Sequence, residues 1–295
     1  MNQIAVCSWS LRPASPHDLV ALCRECEVSA VQLWLDPVRQ WQWKPDTTGG
    51  LARAAGLSLV SGMYSPKDED YSTLESIKAT GGVRPDTTWE ANAKAAEGNA
   101  IMASRFGIPL VTFHAGFIPH AKGDPHRASM CQRVAHIAEV MAARNVRVAL
   151  ETGQEDAQTL LDALAEINDA LQPRATVGVN FDPANMILYG MGDPVAALTR
   201  LLPHVLQVHI KDATPAAKPG VWGEERPVGK GSVDWKSFFS TLRQANYAGD
   251  FVVERESGDD RVGDVRRAVD TIRSHWPGIA PYSSTRAAHV RGAFL

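Results

Sequence analysis

The sequence predicts a single (β/α)8 barrel, and three observations carry that prediction. Eight short apolar runs alternate with segments of helical period, and such alternation implies a parallel sheet. The runs are nearly continuous in apolar residues, which marks strands buried on both faces. The 295 residues suit one closed barrel. An open, doubly wound sheet would want a glycine-rich phosphate loop after its first strand, and residues 7–16, CSWSLRPASP, contain no glycine.

The strand candidates, in order, are QIAVCS (3–8), AVQLW (30–34), LSLVSGM (57–63), PLVTFH (109–114), VRVALE (146–151), TVGVNFD (176–182), VLQVHI (205–210) and DFVVERE (250–256). Helical period appears between them in HDLVALCREC, ANAKAAEGNAIMASRF, MCQRVAHIAEVMAARN, AQTLLDALAEINDAL, DPVAALTRLL, DWKSFFSTLRQANY and VGDVRRAVDTIRSHW. Asp18, Asp193 and Asp234 stand at helix starts, where a carboxylate can cap free N–H groups. Two long loops are expected, residues 64–90 after the third strand and 213–233 after the seventh. Loops of that length usually serve a site. The barrel is expected over residues 1–276, followed by a C-terminal tail over 277–295 that has no clear pattern.

Composition sets bounds on function. The chain is 44% hydrophobic and 21% charged, with a formal charge of −3. That charge argues against a nucleic-acid partner, whose footprint is basic. No apolar run approaches the roughly 20 residues that span a bilayer, and MNQIAVCSWS lacks a basic leader and a long apolar core. A cytoplasmic location is the default expectation, and a homo-oligomer stays open. Cys23 and Cys26 form a CxxC inside a helical segment. With no second CxxC to complete a zinc site, they read as two reduced thiols.

In a barrel of this kind the C-terminal strand ends share one mouth. Glu151, Asp182, His209 and Glu254 end the fifth to eighth runs. Three carboxylates meeting there would repel one another and raise each other's pKa. A divalent cation removes that cost. Three oxygen-donor residues with one imidazole suit Mn²⁺, Mg²⁺ or Co²⁺, and Zn²⁺ remains possible. Weaker mouth candidates follow. His114 either bonds substrate or backs the ligands, and Lys211 shares the parity of His209, with a rim salt bridge as the competing reading. Gln154 and Asn185 can orient ligands or bond hydroxyls. Trp34 and Trp222 offer aromatic faces to a sugar, as does Trp9. Arg226 can meet an anionic or carbonyl oxygen, or pair with Glu224 or Glu225.

The motifs FHAGF, ALETGQ, NFDPANM, VHIKD, GKGSVDW (229–235) and FVVERE resemble the sugar phosphate isomerase/epimerase branch of the xylose isomerase-like TIM-barrel superfamily. The branch also contains ketose 3-epimerases, hydroxypyruvate isomerases and inosose dehydratases. The resemblance covers roughly residues 3–276. It implies one divalent metal, commonly manganese, on Glu151, Asp182, His209 and Glu254. It also implies an enediolate mechanism in which Glu151 and Glu254 act as an acid/base pair on a keto sugar, sugar derivative or cyclitol. The same first step could instead expel a leaving group, making the enzyme a lyase or dehydratase of an inosose or 3-keto-glycoside. Two motifs are also similar to metal-dependent endonucleases of abasic sites. That reading lacks their histidine-rich cluster, since the third strand ends SGMYSP. Many relatives carry D-x-x-H after the sixth strand, whereas this chain has Asp182-Pro183-Ala184-Asn185. Asparagine cannot supply an imidazolium there.

Overall fold

A computed structural model describes residues 2–218 and 220–279. Among the described residues ten strands occur, in chain order: β1 (Ile4–Cys7), β2 (Ala30–Trp34), β3 (Ser58–Met63), β4 (Leu110–Phe113), β5 (Arg147–Glu151), β6 (Val177–Phe181), β7 (Val205–Ile210), β8 (Asp212–Thr214), β9 (Glu224–Arg226) and β10 (Asp250–Val253). Eight of them close a barrel in the order β1-β10-β7-β6-β5-β4-β3-β2. Every neighbouring pair in that ring is parallel. The eight barrel strands lie within the eight runs expected from sequence, trimmed by one to three residues at some ends. Glu254 consequently lies one residue past β10.

Strand alternation sorts the core into two. On β5, β6, β7 and β10, Leu150, Phe181, Val208 and Val253 join the large apolar shell between barrel and helices. Their neighbours of opposite parity point inward. Ala5, Cys7, Ala30, Val60 and Val252 form a small separate cluster. Glu151, Asp182, His209 and Glu254 share the inward parity, so apolar walls deliver all four to one place.

The two long connections carry more structure than expected. Residues 64–90 include the helix Leu74–Thr80, closed by a Thr73/Ser76 capping box, and the start of the helix Asp86–Phe106. The connection is locked to the segment after β4. Gly82 has φ +65°, and a Cβ there would lie 2.0 Å from the Ala115 carbonyl, so only glycine permits the approach. After β7, the ribbon β8–β9 pairs antiparallel. The Asp212 carboxylate then accepts N–H bonds from Gly229, Gly231 and Val233 and from the Trp235 indole. The GKGSVDW run is thus folded around a buried acid.

Asp193 and Asp234 cap helices as expected. Asp18 does not. Ser15 caps that helix, and Asp18 sits in its first turn, accepting from the Ala14 N–H. Cys23 and Cys26 are free, buried thiols, and burial pushes both up to about 12. No helix among the described residues is long and apolar enough to cross a membrane. Residues 280–295 of the expected tail lie outside the described residues.

Candidate active site at the barrel mouth

One ligand-type atom from each of Glu151, Asp182, His209 and Glu254 lies within 4.8 Å of all the others, and all four residues are buried. His209 Nδ1 is the hub. It sits 3.4 Å from Glu151 Oε1, 3.5 Å from Asp182 Oδ2 and 3.4 Å from Glu254 Oε2. These are near misses for hydrogen bonds. His209 Nδ1 and Asp182 Oδ2 have no partner at all although both are buried. Unpartnered polar atoms in a dry interior are costly, and a shared cation would satisfy them together.

The imidazole is held from behind. Gln32 donates from Nε2 to Thr112 Oγ1 at 2.7 Å, which turns its Oε1 toward His209 Nε2 at 2.8 Å. With a cation bound between the ring and the acids, His209 would keep its proton on Nε2 and turn the Nδ1 lone pair to the ion. Burial alone would lower the His209 pKa, but Glu151 and Glu254 outweigh it and lift the pKa well above the ordinary value. The acids demand a positive charge at this point. A divalent ion fits the donor set, because hard carboxylate oxygens and one imidazole suit such cations.

Each glutamate also has its own support. Asn185 Nδ2 donates to Glu151 Oε1 at 2.9 Å, and His114 Nε2 lies 3.5 Å from the same oxygen. Burial raises Glu151, yet His114 and His209 together bring it below the usual carboxylate value. The Trp9 indole donates to Glu254 Oε1 at 2.9 Å, and Lys211 Nζ lies 2.8 Å from Glu254 Oε2. Burial pushes Glu254 up, but Lys211 and His209 overcome it and hold the carboxyl at about 2. Asp182 also caps the short helix Pro183–Leu188 through Asn185 N–H. That bond uses Oδ1 and leaves Oδ2 facing His209.

A cavity of about 430 Å³ opens above the cluster, with Trp34, His114, Asn185, Trp222 and Glu254 on its walls. Trp222 is braced edge-on by Tyr189, with ring centroids 4.9 Å apart. Lys211 does not line the cavity. It is buried beneath it, paired with Glu254 and Glu256. Two expected site residues lie elsewhere. Arg226 is on β9, opposite Asp212, and pairs with Glu224 in the partly exposed ribbon. Gln154 touches no ligand-type residue of the cluster. Its Nε2 reaches Tyr189 Oη at 3.4 Å, and its Oε1 is unpartnered. Gly153, with φ +133° and close against Asn185, turns the chain so that Gln154 leaves the mouth.

Sequence reasoning missed Gln32, Glu69 and Glu256. Gln32 interrupts an apolar strand, and that polar break was a readable signal. Glu69 was hidden in the charge run KDED and Glu256 behind Glu254.

Glu155, next to Gln154, is buried in the wall of a separate cavity shared with Arg84 and His120. Burial, with a lesser push from Asp156, raises its carboxyl from 4.5 to about 8. Between those values the folded chain binds more protons there than the unfolded chain, so stability falls as pH rises across the window. Glu155→Gln should therefore raise stability at pH 8.5 by up to roughly 5 kcal/mol and change little at pH 4. Urea denaturation at the two pH values checks this, and an equal effect at both would refute it.

A closed parallel barrel whose mouth gathers three buried acids and a histidine defines the class: a (β/α)8 protein with a candidate metal centre at its mouth. Residues 20–275 match the xylose isomerase-like TIM barrel family, and the chain belongs to it. The xylose isomerase domain protein from Planctomyces limnophilus superposes with a TM-score of 0.79 at 25% identity, covering 93% of this chain and 95% of that one. A xylose isomerase-like TIM barrel protein from Mycobacterium smegmatis, in complex with magnesium, superposes with a TM-score of 0.71 at 14% identity, covering 95% and 98% of the two chains. Among curated proteins, L-ribulose-5-phosphate 3-epimerase UlaE of Salmonella paratyphi C is 36% identical over 73 residues. That match spans 24% of this chain and 24% of the relative.

Proposed function

We propose that this chain is a divalent-metal-dependent isomerase or epimerase of a keto sugar, sugar derivative or cyclitol, with Glu151 and Glu254 as its proton carriers. The observation that carries the reading is the buried His209 Nδ1 facing three carboxylate oxygens at 3.4–3.5 Å below an aromatic-walled cavity. Glu151, Asp182, His209 and Glu254 would hold the metal, manganese first, with magnesium, cobalt or zinc as alternatives. When bound, such an ion would supply Lewis acidity that polarises a substrate carbonyl and acidifies the adjacent C–H.

The chain's own residues do the rest. β5 and β10 are separated on the ring by β6 and β7, so Glu151 and the residue after β10, Glu254, approach the cavity from different sides. One removes the proton and the other returns one to the opposite face. Asn185 aims Glu151, and the Trp9 indole aims Glu254. His114 stands beside Glu151 on the cavity wall, where its ring can meet a substrate hydroxyl. Trp34 and Trp222 cover the sugar's apolar faces and exclude water. The partial match to a ribulose-phosphate epimerase is consistent with this chemistry.

The test is proton exchange in D₂O with Mn²⁺ and a panel of keto sugars. Recovered sugar should carry deuterium beside the carbonyl, and EDTA should stop the exchange. Loss of water or of an aglycone would instead identify a lyase. No exchange on any keto sugar or inosose would sink the proposal.

A further inference from the structure

Three observations bear on what the cavity can accept. First, among the described residues no lysine or arginine lines the cavity, while Glu69, Glu254 and Glu256 do. Second, the nearest ammonium has nothing left to give. An ammonium has three N–H donors, and Lys211 Nζ directs them at Glu254 Oε2 (2.8 Å), Asn185 Oδ1 (3.4 Å) and Glu256. Third, barrels of this kind frequently bind phosphate at the loops after their last two strands, where backbone N–H groups cradle the anion, and the first of those two loops is closed on itself. Here the glycine-containing loop after β7 turns the N–H groups of Gly229, Gly231 and Val233 onto the Asp212 carboxylate. A Cβ on Gly231 would sit 2.0 Å from that carboxylate, so the loop is closed on its own acid.

Glu69 is fixed at the cavity wall. Its Oε1 accepts the Gly82 N–H at 2.8 Å, and the Tyr71 hydroxyl lies 3.3 Å from Oε2. The glycine that locks the connection after β3 thus also positions this acid. Burial already raises the Glu69 carboxyl. A phosphate dianion beside it would force protonation or stay repelled, and either outcome weakens binding.

We infer that the substrate of this site carries hydroxyls, not a phosphate, where it meets the cavity wall, and that Glu69 enforces the choice. Carboxylates accept hydrogen bonds from sugar hydroxyls and repel phosphate, so a free ketose or cyclitol fits and its phosphate ester does not. The inference rests on the sugar reading given above and narrows its substrate class.

The experiment uses matched pairs, D-fructose with D-fructose 6-phosphate and L-ribulose with L-ribulose 5-phosphate, on the Mn²⁺-loaded full chain. The readouts are kcat/KM for deuterium exchange and Kd from tryptophan fluorescence. The free sugars should be favoured by at least about 100-fold, the scale of a close like-charge contact at a partly solvated site. Glu69→Gln keeps an acceptor for Gly82 and should shrink the ratio about tenfold. Glu69→Lys should shrink it further by improving the phosphorylated member. Equal or better use of the phosphorylated sugars by the unmodified protein overturns the inference and leaves the epimerase reading standing. Neither binding nor exchange with any member overturns the sugar reading itself, and this inference with it.

Discussion

Glu151→Gln should lower the rate of substrate proton exchange by about 10²–10⁴, the usual worth of a positioned acid or base. The change is isosteric, and Asn185 still finds an oxygen to donate to, so the cavity keeps its shape. Sugar binding, read by tryptophan fluorescence, should survive within a few-fold. Metal affinity should weaken, since one anionic donor becomes neutral, and saturating Mn²⁺ must be supplied so that the rate loss reports proton transfer. Glu254→Gln should fail differently. If the two acids serve opposite faces, one variant loses exchange and the other retains exchange but loses inversion. Which is which depends on the handedness of the substrate used. Exchange and inversion at unmodified rates in Glu151→Gln would remove it from the acid/base role.

The barrel was legible because its code is local. Runs such as Ile4–Cys7 and residues 251–253 are apolar on both faces, the pattern of strands in a sheet covered on both sides. The four ligand-type residues were legible for a related reason. An acid or histidine at the tip of an apolar strand is a local anomaly, and the fold rule that all tips share one mouth joins the anomalies. What the sequence could not show was how neighbours use their hydrogen bonds. Arg226 is basic and near the mouth in sequence, yet the β8–β9 ribbon directs it to Glu224. Gln154 follows Glu151 by three residues, yet the turn at Gly153 sends it to Tyr189. Gln32 lies far from His209 in sequence, and barrel closure alone brings the two within 2.8 Å. Positions set by period could be read; positions set by loop geometry could not.

Lys211→Met should produce the largest loss of stability among single changes at the site. Lys211 is 2% exposed and pairs with Glu254, which is 3% exposed. Methionine fills much of the same volume but leaves Glu254 buried near Glu151 and Asp182 with only His209 to offset them. Removing one partner of a buried pair typically costs about 3–5 kcal/mol, because the other charge stays behind unpaired. The loss should appear in full in EDTA-treated protein at pH 7, measured by urea denaturation. Two additions should recover part of it. Glu254→Gln in the Lys211→Met background removes the stranded charge, so the double variant should be more stable than Lys211→Met alone. Saturating Mn²⁺ should also restore stability in Lys211→Met that retains Glu254, since the ion binds only the folded arrangement. A loss below about 0.5 kcal/mol would place Lys211 among the weak surface pairs. A full loss that neither the second substitution nor metal relieves would mean that packing, not charge, is what Lys211 supplies.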